Sequence, residues 1–121
     1  YPFKNSLLDF IHLSFNFFFL LYMEIISEII LIENFPEARK PAYQLKIEFG
    51  EEIGVRKTSA QITKRYTKEE LLGKQTIAVV NFPKKQIANF MSECLLLGAV
   101  NSDEVTIIQP GANVPNGLRI S

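Results

Sequence analysis

The chain predicts an all-β fold: a small barrel of five or six short strands with one short helix. Three features point there. Apolar and polar residues alternate strictly over Tyr43–Phe49, a nearly all-apolar run fills Thr76–Val80, and Gly and Pro punctuate the stretches between at short intervals. At 121 residues the chain can build one domain with one core and is too short for two.

The first 23 residues read as different material. Leu13–Met23 is an eleven-residue apolar run with only two polar residues, shorter than the roughly 20 residues that a membrane span needs. No small-residue cleavage site follows it, which argues against a signal peptide. The folded domain is therefore expected over residues 24–121, with 1–23 an atypical hydrophobic segment.

Within the domain, Ile25–Ile32 is β-branched and apolar, although Ile25, Ile26, Ile29 and Ile30 also fit helical spacing. Tyr43–Phe49 has the pattern of a strand with one wet face, and Gly50 ends it. Glu51 and Glu52 make a turn into Ile53–Thr58, the second strand of a hairpin. Thr67-Lys68-Glu69-Glu70 is a capping box that opens a short helix through Leu72, and Gly73 closes it. Thr76–Val80 suits a central strand that delivers Asn81 and Phe82 at its end, with Pro83 stopping the ladder. Cys94–Leu97 and Val105–Ile108 supply two more strands, and Pro110-Gly111 and Pro115-Asn116-Gly117 are turns. One helix between the third and fourth of such strands is the arrangement of an OB-fold, a five-stranded Greek-key barrel whose relatives commonly bind oligonucleotides.

Charge narrows the function. The chain has 13 basic and 13 acidic side chains, but Arg56–Phe90 holds eight basic residues against two acidic ones, a local net of +6 that leaves -6 for the other 86 residues. The field that a polyanion meets follows local rather than total charge. Two segments carry this excess, Lys57–Tyr66 and Asn81–Ala88, and both mix cations with hydroxyls and amides suited to phosphate and base contacts. The single cysteine, Cys94, excludes an internal disulfide and a cysteine-based metal site, and beside Leu95–Leu97 it reads as a buried thiol. The one histidine, His12, lies in the N-terminal segment, and no metal-ligand spacing, phosphate-binding glycine loop or nucleophile elbow is present. These observations favour a binding module over an enzyme, with no cofactor, metal or small-molecule substrate expected.

Five segments occur together in order: Phe35–Tyr43, Ser59–Thr63, Val79–Pro83, Ile87–Glu93 and Val114–Gly117. In combination they resemble the CsaA family, small bacterial and archaeal tRNA-binding proteins also described as export-related chaperones. That family is similar in turn to the tRNA-binding domain appended to many methionyl-tRNA synthetases. The resemblance covers Ile29–Ser121, 93 of 121 positions. It implies an OB-fold, a homodimer in the cytoplasm, and recognition of tRNA by shape and backbone rather than by sequence. It also implies an RNA-facing side that carries Ser59, Gln61, Lys64 and Arg65 after the third strand, and Asn81, Lys84 and Lys85 at the matching strand end and loop. Met91, Ser92 and Glu93 fall near the same mouth. Lys57, from the first basic segment, completes the expected set. Glu93 is expected to orient a neighbour or cap a backbone group, and Phe82 or Phe90 to stack on a base, with core packing the favoured reading for Phe82. Upstream of Met23-Glu24-Ile25-Ile26-Ser27-Glu28 the pattern departs abruptly from the family, as a shifted reading frame would make it. Two further partner readings follow from the resemblance: unfolded export substrates or the translocation machinery, and a separate synthetase chain.

Overall fold

The computed structural model describes residues 22–121, so the expectations for the N-terminal segment fall outside the described residues apart from Tyr22 and Met23. Five strands make a sheet that curls into a nearly closed barrel: β1 (Glu24–Asn34), β2 (Tyr43–Glu48), β3 (Val55–Ala60), β4 (Gln75–Val79) and β7 (Leu95–Leu96), in the order β3-β2-β1-β4-β7. All pairings within it are antiparallel. One four-residue helix, α1 (Lys68–Leu71), lies between β3 and β4 as expected. Among the described residues no helix is long and apolar enough to cross a membrane.

β1 is a strand throughout, and its pairing explains why the helical spacing of its isoleucines does not prevail. Its first half pairs with β4, from Glu24 opposite Val79 to Glu28 opposite Gln75, and its second half pairs with β2. A register shift between Ile29 and Leu31 bends the strand where it changes partner. The free edge of the first half is taken by the C-terminal segment. Ile26 N–H donates to Leu118 O, Gly117 N–H to Ile26 O and Ile120 N–H to Glu24 O, each at 2.8 Å. The fully buried side chains, Ile25, Ile29, Leu45, Ile47, Phe49 and Leu71 among them, fill the barrel; each such large apolar side chain contributes roughly 1.5–3 kcal/mol by leaving water.

β2 keeps the expected alternation: Tyr43, Leu45 and Ile47 are buried, and Gln44, Lys46 and Glu48 are not. β3 starts two residues later than the sequence suggests, because Ile53 and Gly54 belong to the turn, where Phe49 N–H donates to Gly54 O at 2.9 Å. The capping box forms: Glu70 N–H donates to Thr67 Oγ1 at 3.2 Å while Thr67 N–H donates to Glu70 Oε1 at 3.1 Å. Leu72 is the C-cap, one residue earlier than expected, and Gly73 follows at a φ of 83°.

Two hairpins complete the fold: β5 (Lys85–Ile87) with β6 (Phe90–Ser92), which goes beyond the sequence reading, and β8 (Gly98–Asn101) with β9 (Glu104–Ile107), of which only β9 was expected, as Val105–Ile108. The strands of the first hairpin have three residues each, and all four residues of β8 are exposed, so neither that hairpin nor β8 presents an apolar alternation. Their turns also lack a glycine. Ala88 (φ 51°) and Ser102 (φ 59°) occupy the left-handed positions, so the usual Asn-Gly or Asp-Gly signal is missing.

The Val114–Gly117 segment fastens the C-terminal end to the barrel. Gln75 Nε2 donates to Val114 O at 2.5 Å and to Asn116 Oδ1 at 2.9 Å, and Asn116 Nδ2 donates to Glu48 Oε2 at 2.5 Å and to Glu28 Oε1 at 3.3 Å. Gly50 and Gly117 meet here at φ values of 90° and 100°. A Cβ on either would lie 2.8 Å from a backbone oxygen of the other strand, so the crossing requires glycine on both sides.

Candidate nucleic-acid interface

The barrel closes between β3 and the chain running from β6 into β7. Glu93 N–H donates to Lys57 O at 2.8 Å, Lys57 N–H donates back to Glu93 Oε1 at 3.0 Å, and Thr58 Oγ1 donates to Cys94 O at 2.7 Å. Glu93 therefore caps a backbone group, as expected of it. One residue on, Ser92 Oγ accepts from Ser59 N–H at 3.1 Å and lies 3.1 Å from Ser59 Oγ. Cys94 is a buried thiol, pushed up to about 12 by burial, which removes it from nucleophilic chemistry near neutral pH.

Beside this seam opens a cleft of about 950 Å³, with the β3 end on one side and the β5–β6 hairpin and the β7–β8 stretch on the others. Its floor is apolar, formed by Ile62, Leu96, Val105 and Ile107. Ser59, Gln61 and Ser92 give it polar atoms, and Arg39, Lys40 and Lys85 stand on its wall. Among the described residues no Asp or Glu lines it. None of the three cations forms an ion pair with a described residue; the ion pairs there involve Lys64 and Arg65.

The expected site residues thus divide into groups. Ser59, Gln61, Lys85 and Ser92 come together at the cleft. Lys57 lies across the seam over Phe90, its Nζ 5.2 Å from the ring centroid, and Phe90 in turn packs on Phe35 at 5.5 Å; this leaves Phe90 half-buried as part of a small aromatic stack. Lys84 and Met91 are exposed, the first just before β5 and the second on β6. Asn81 lies just past β4, where its Oδ1 accepts from Met23 N–H at 2.6 Å and so holds the entry to β1. Phe82 corrects the expectation of core packing: the β4 ladder ends at Val79, and Phe82 lies in the bend that follows, 38% exposed, bordering the cleft and meeting Tyr22 at 5.4 Å.

Lys64 and Arg65 stand apart. Lys64 Nζ donates to Asp103 Oδ2 at 2.7 Å and Arg65 Nη1 to Glu104 Oε1 at 2.5 Å, both carboxylates coming from the tip of the β8–β9 hairpin. The hydrogen bond to Asp103, reinforced by its charge, holds the Lys64 ammonium above its ordinary range, and the same bond holds the Asp103 carboxyl below its own. The sequence reading missed both this neutralisation and the contribution of Arg39 and Lys40. Those two cations lie in the Phe35–Tyr43 segment but outside the basic stretch that begins at Arg56, so a linear charge count separates them from Lys85. Among the described residues no group of three or more His, Cys, Asp or Glu side chains is placed to hold a metal ion.

Residues 25–119 match the family model described as "Putative tRNA binding domain". The chain belongs to the CsaA/tRNA-binding-domain family. Among solved structures it is similar to the CsaA chaperone protein of Picrophilus torridus, 48% identical with a TM-score of 0.82 over 88% of this chain and 97% of that one. It is also similar to the CsaA chaperone of Bacillus anthracis, 42% identical with a TM-score of 0.79 over 98% of this chain and all of the other. Among curated proteins it matches the methionine–tRNA ligase of Pyrococcus horikoshii at 33% identity over 95 residues, 78% of this chain. The chain spans 13% of that enzyme's length. The family is a tRNA-binding and chaperone type rather than a catalytic one, and the OB-fold expected from the strand pattern is the fold of these relatives.

Proposed function

We propose that the chain is a tRNA-binding protein. In this reading residues 24–121 form the binding domain, and the side of the barrel that carries the cleft meets tRNA by shape and backbone. The observation that carries it is the set of cations Arg39, Lys40 and Lys85, none ion-paired with a described residue, beside the Ser59–Ser92 hydroxyls, in a chain of a tRNA-binding family. Phosphates need cations and hydroxyl donors, and the 2′-hydroxyl of ribose can pair with Gln61 or the serines. Lys84, next to Lys85, and Lys57 over Phe90 extend the positive side. A homodimer acting in the cytoplasm belongs to the same proposal, as the resemblance implies.

The test is binding of the purified chain to total tRNA and to an equally long unstructured RNA across a salt series. Affinity for tRNA is expected to exceed that for the unstructured RNA and to fall steeply, by about a thousandfold between 50 and 200 mM salt if six or so phosphates are contacted. Equal, salt-insensitive binding of both RNAs would overturn the proposal. Lys84→Glu combined with Lys85→Glu should weaken tRNA binding by about tenfold or more without changing the unfolding midpoint. A second reading, retention of unfolded polypeptides, is favoured by the apolar floor of the cleft and by the chaperone description of the two CsaA relatives. It predicts salt-tolerant binding of apolar peptides and no loss from the lysine reversals.

A further inference from the structure

From the composition of the cleft, and resting on the tRNA reading above, we infer that it is a pocket for an unpaired nucleotide: a base on the apolar floor and its phosphate on Arg39, Lys40 and Lys85. A paired helix presents phosphate and ribose outward and keeps its bases stacked inside, so it offers nothing apolar to cover Ile62, Leu96, Val105 and Ile107. An extruded base does, and a volume of about 950 Å³ is at the upper end of what pockets for small ligands occupy.

The polar atoms fit a base edge. Ser92 Oγ accepts the Ser59 N–H, and the two hydroxyls share one hydrogen bond at 3.1 Å. Whichever of them donates in that bond, the other keeps a hydroxyl hydrogen that no described residue takes, so the pair offers one O–H to a ligand acceptor. Gln61 adds an amide donor and acceptor at the end of β3, and Phe82, exposed at the border, adds a ring face for stacking. Three cations with no lining carboxylate among the described residues make the occupant an anion, which separates a nucleotide from an apolar polypeptide.

The experiment titrates the isotope-labelled full chain with the single-stranded trinucleotide ApApA and with a blunt RNA duplex of few base pairs, following amide resonances, while total tRNA binding is measured separately. ApApA is expected to shift the amides of Ser59, Gln61 and Ser92, and the duplex to bind at least about tenfold more weakly. Arg39→Ala with Lys40→Ala, both exposed, should lower ApApA affinity by about tenfold with the unfolding midpoint unchanged. Shifts confined to residues outside the cleft, or a duplex that binds as tightly as ApApA, would overturn the inference. An apolar peptide that shifts these amides where ApApA does not would overturn it in favour of a polypeptide site. If tRNA binds but ApApA leaves the cleft untouched, the inference fails and the tRNA reading stands. Where ApApA fills the cleft and tRNA does not bind, the tRNA reading fails alone; if neither binds, both fail.

Discussion

Lys64 and Arg65 illustrate how a cation can be visible in the sequence and yet absent from the field that a ligand meets. Their partners Asp103 and Glu104 lie 39 residues further along and reach them only because the β8–β9 hairpin folds back. Exposed pairs of this kind add little to stability, but each carboxylate must be displaced before a phosphate can take its place. Asp103→Asn combined with Glu104→Gln is therefore expected to raise tRNA affinity by about two- to tenfold and to steepen its salt dependence, read from the same salt series. Affinity unchanged by the double substitution would place Lys64 and Arg65 outside the interface. The meeting of Ser59 and Ser92, in contrast, was legible, since both lie in segments that carry the family resemblance. Asn116 gives a second residue-scale prediction, because its amide donates to both Glu28 and Glu48. Asn116→Asp would set a third carboxylate against these two, and losing a part-buried hydrogen bond to a charged group costs about 1–3 kcal/mol. The new carboxyl would titrate higher in the folded chain than in the unfolded one. The loss should therefore be largest at pH 7 and shrink as pH falls toward 4, which denaturant unfolding at the two pH values would show.

At the scale of elements, what was legible followed the strength of the local signal. β2 alternates over six residues with one face buried, and it was read correctly; α1 has only four residues, yet its capping box announced it. Replacing Thr67 with Ala removes the side chain that accepts the Glu70 N–H, and a loss of about 1 kcal/mol in unfolding free energy is expected. The β5–β6 hairpin and β8 were illegible because their strands are too short or too exposed to pattern, and because Ala88 and Ser102 stand where glycine or asparagine would have signalled a turn, whereas β9 was legible in Val105–Ile108. Ala88 pays a steric cost in that conformation, eased only in part by the Gln86 Nε2 donation to Ala88 O at 2.7 Å. Ala88→Gly should stabilise the chain by up to about 1 kcal/mol in chemical denaturation. A loss of stability on that change would mean that the turn relaxes away from the conformation described.

For the whole molecule, the fold class was legible because a core of alternating and β-branched residues admits few arrangements in one short chain. The site was legible only in part, because sequence distance hides which charges meet: Arg39 and Lys40 join Lys85 from outside the basic stretch, and two carboxylates from outside it cancel Lys64 and Arg65. Barrel closure at Thr58 and Cys94 has its own signature. The Cys94 thiol has a higher pKa folded, about 12 against an ordinary 9.0, so its contribution to stability is intact below 9.0 and is lost as pH rises from there toward 12. Native protein at pH 8 should leave iodoacetamide unreacted and take up one equivalent only on unfolding. The pairing of β1 has a consequence for how the chain is made. Ile25 stands opposite Arg119, and the hydrogen bonds of Glu24 and Ile26 are completed by residues 117–120, so the first strand of the domain waits for partners made after every other strand of it. A nascent chain halted on the ribosome before Gly117 emerges would hold β1 with one edge open along its first half, and these last hydrogen bonds of the sheet form only after nearly all of the domain has left the exit tunnel.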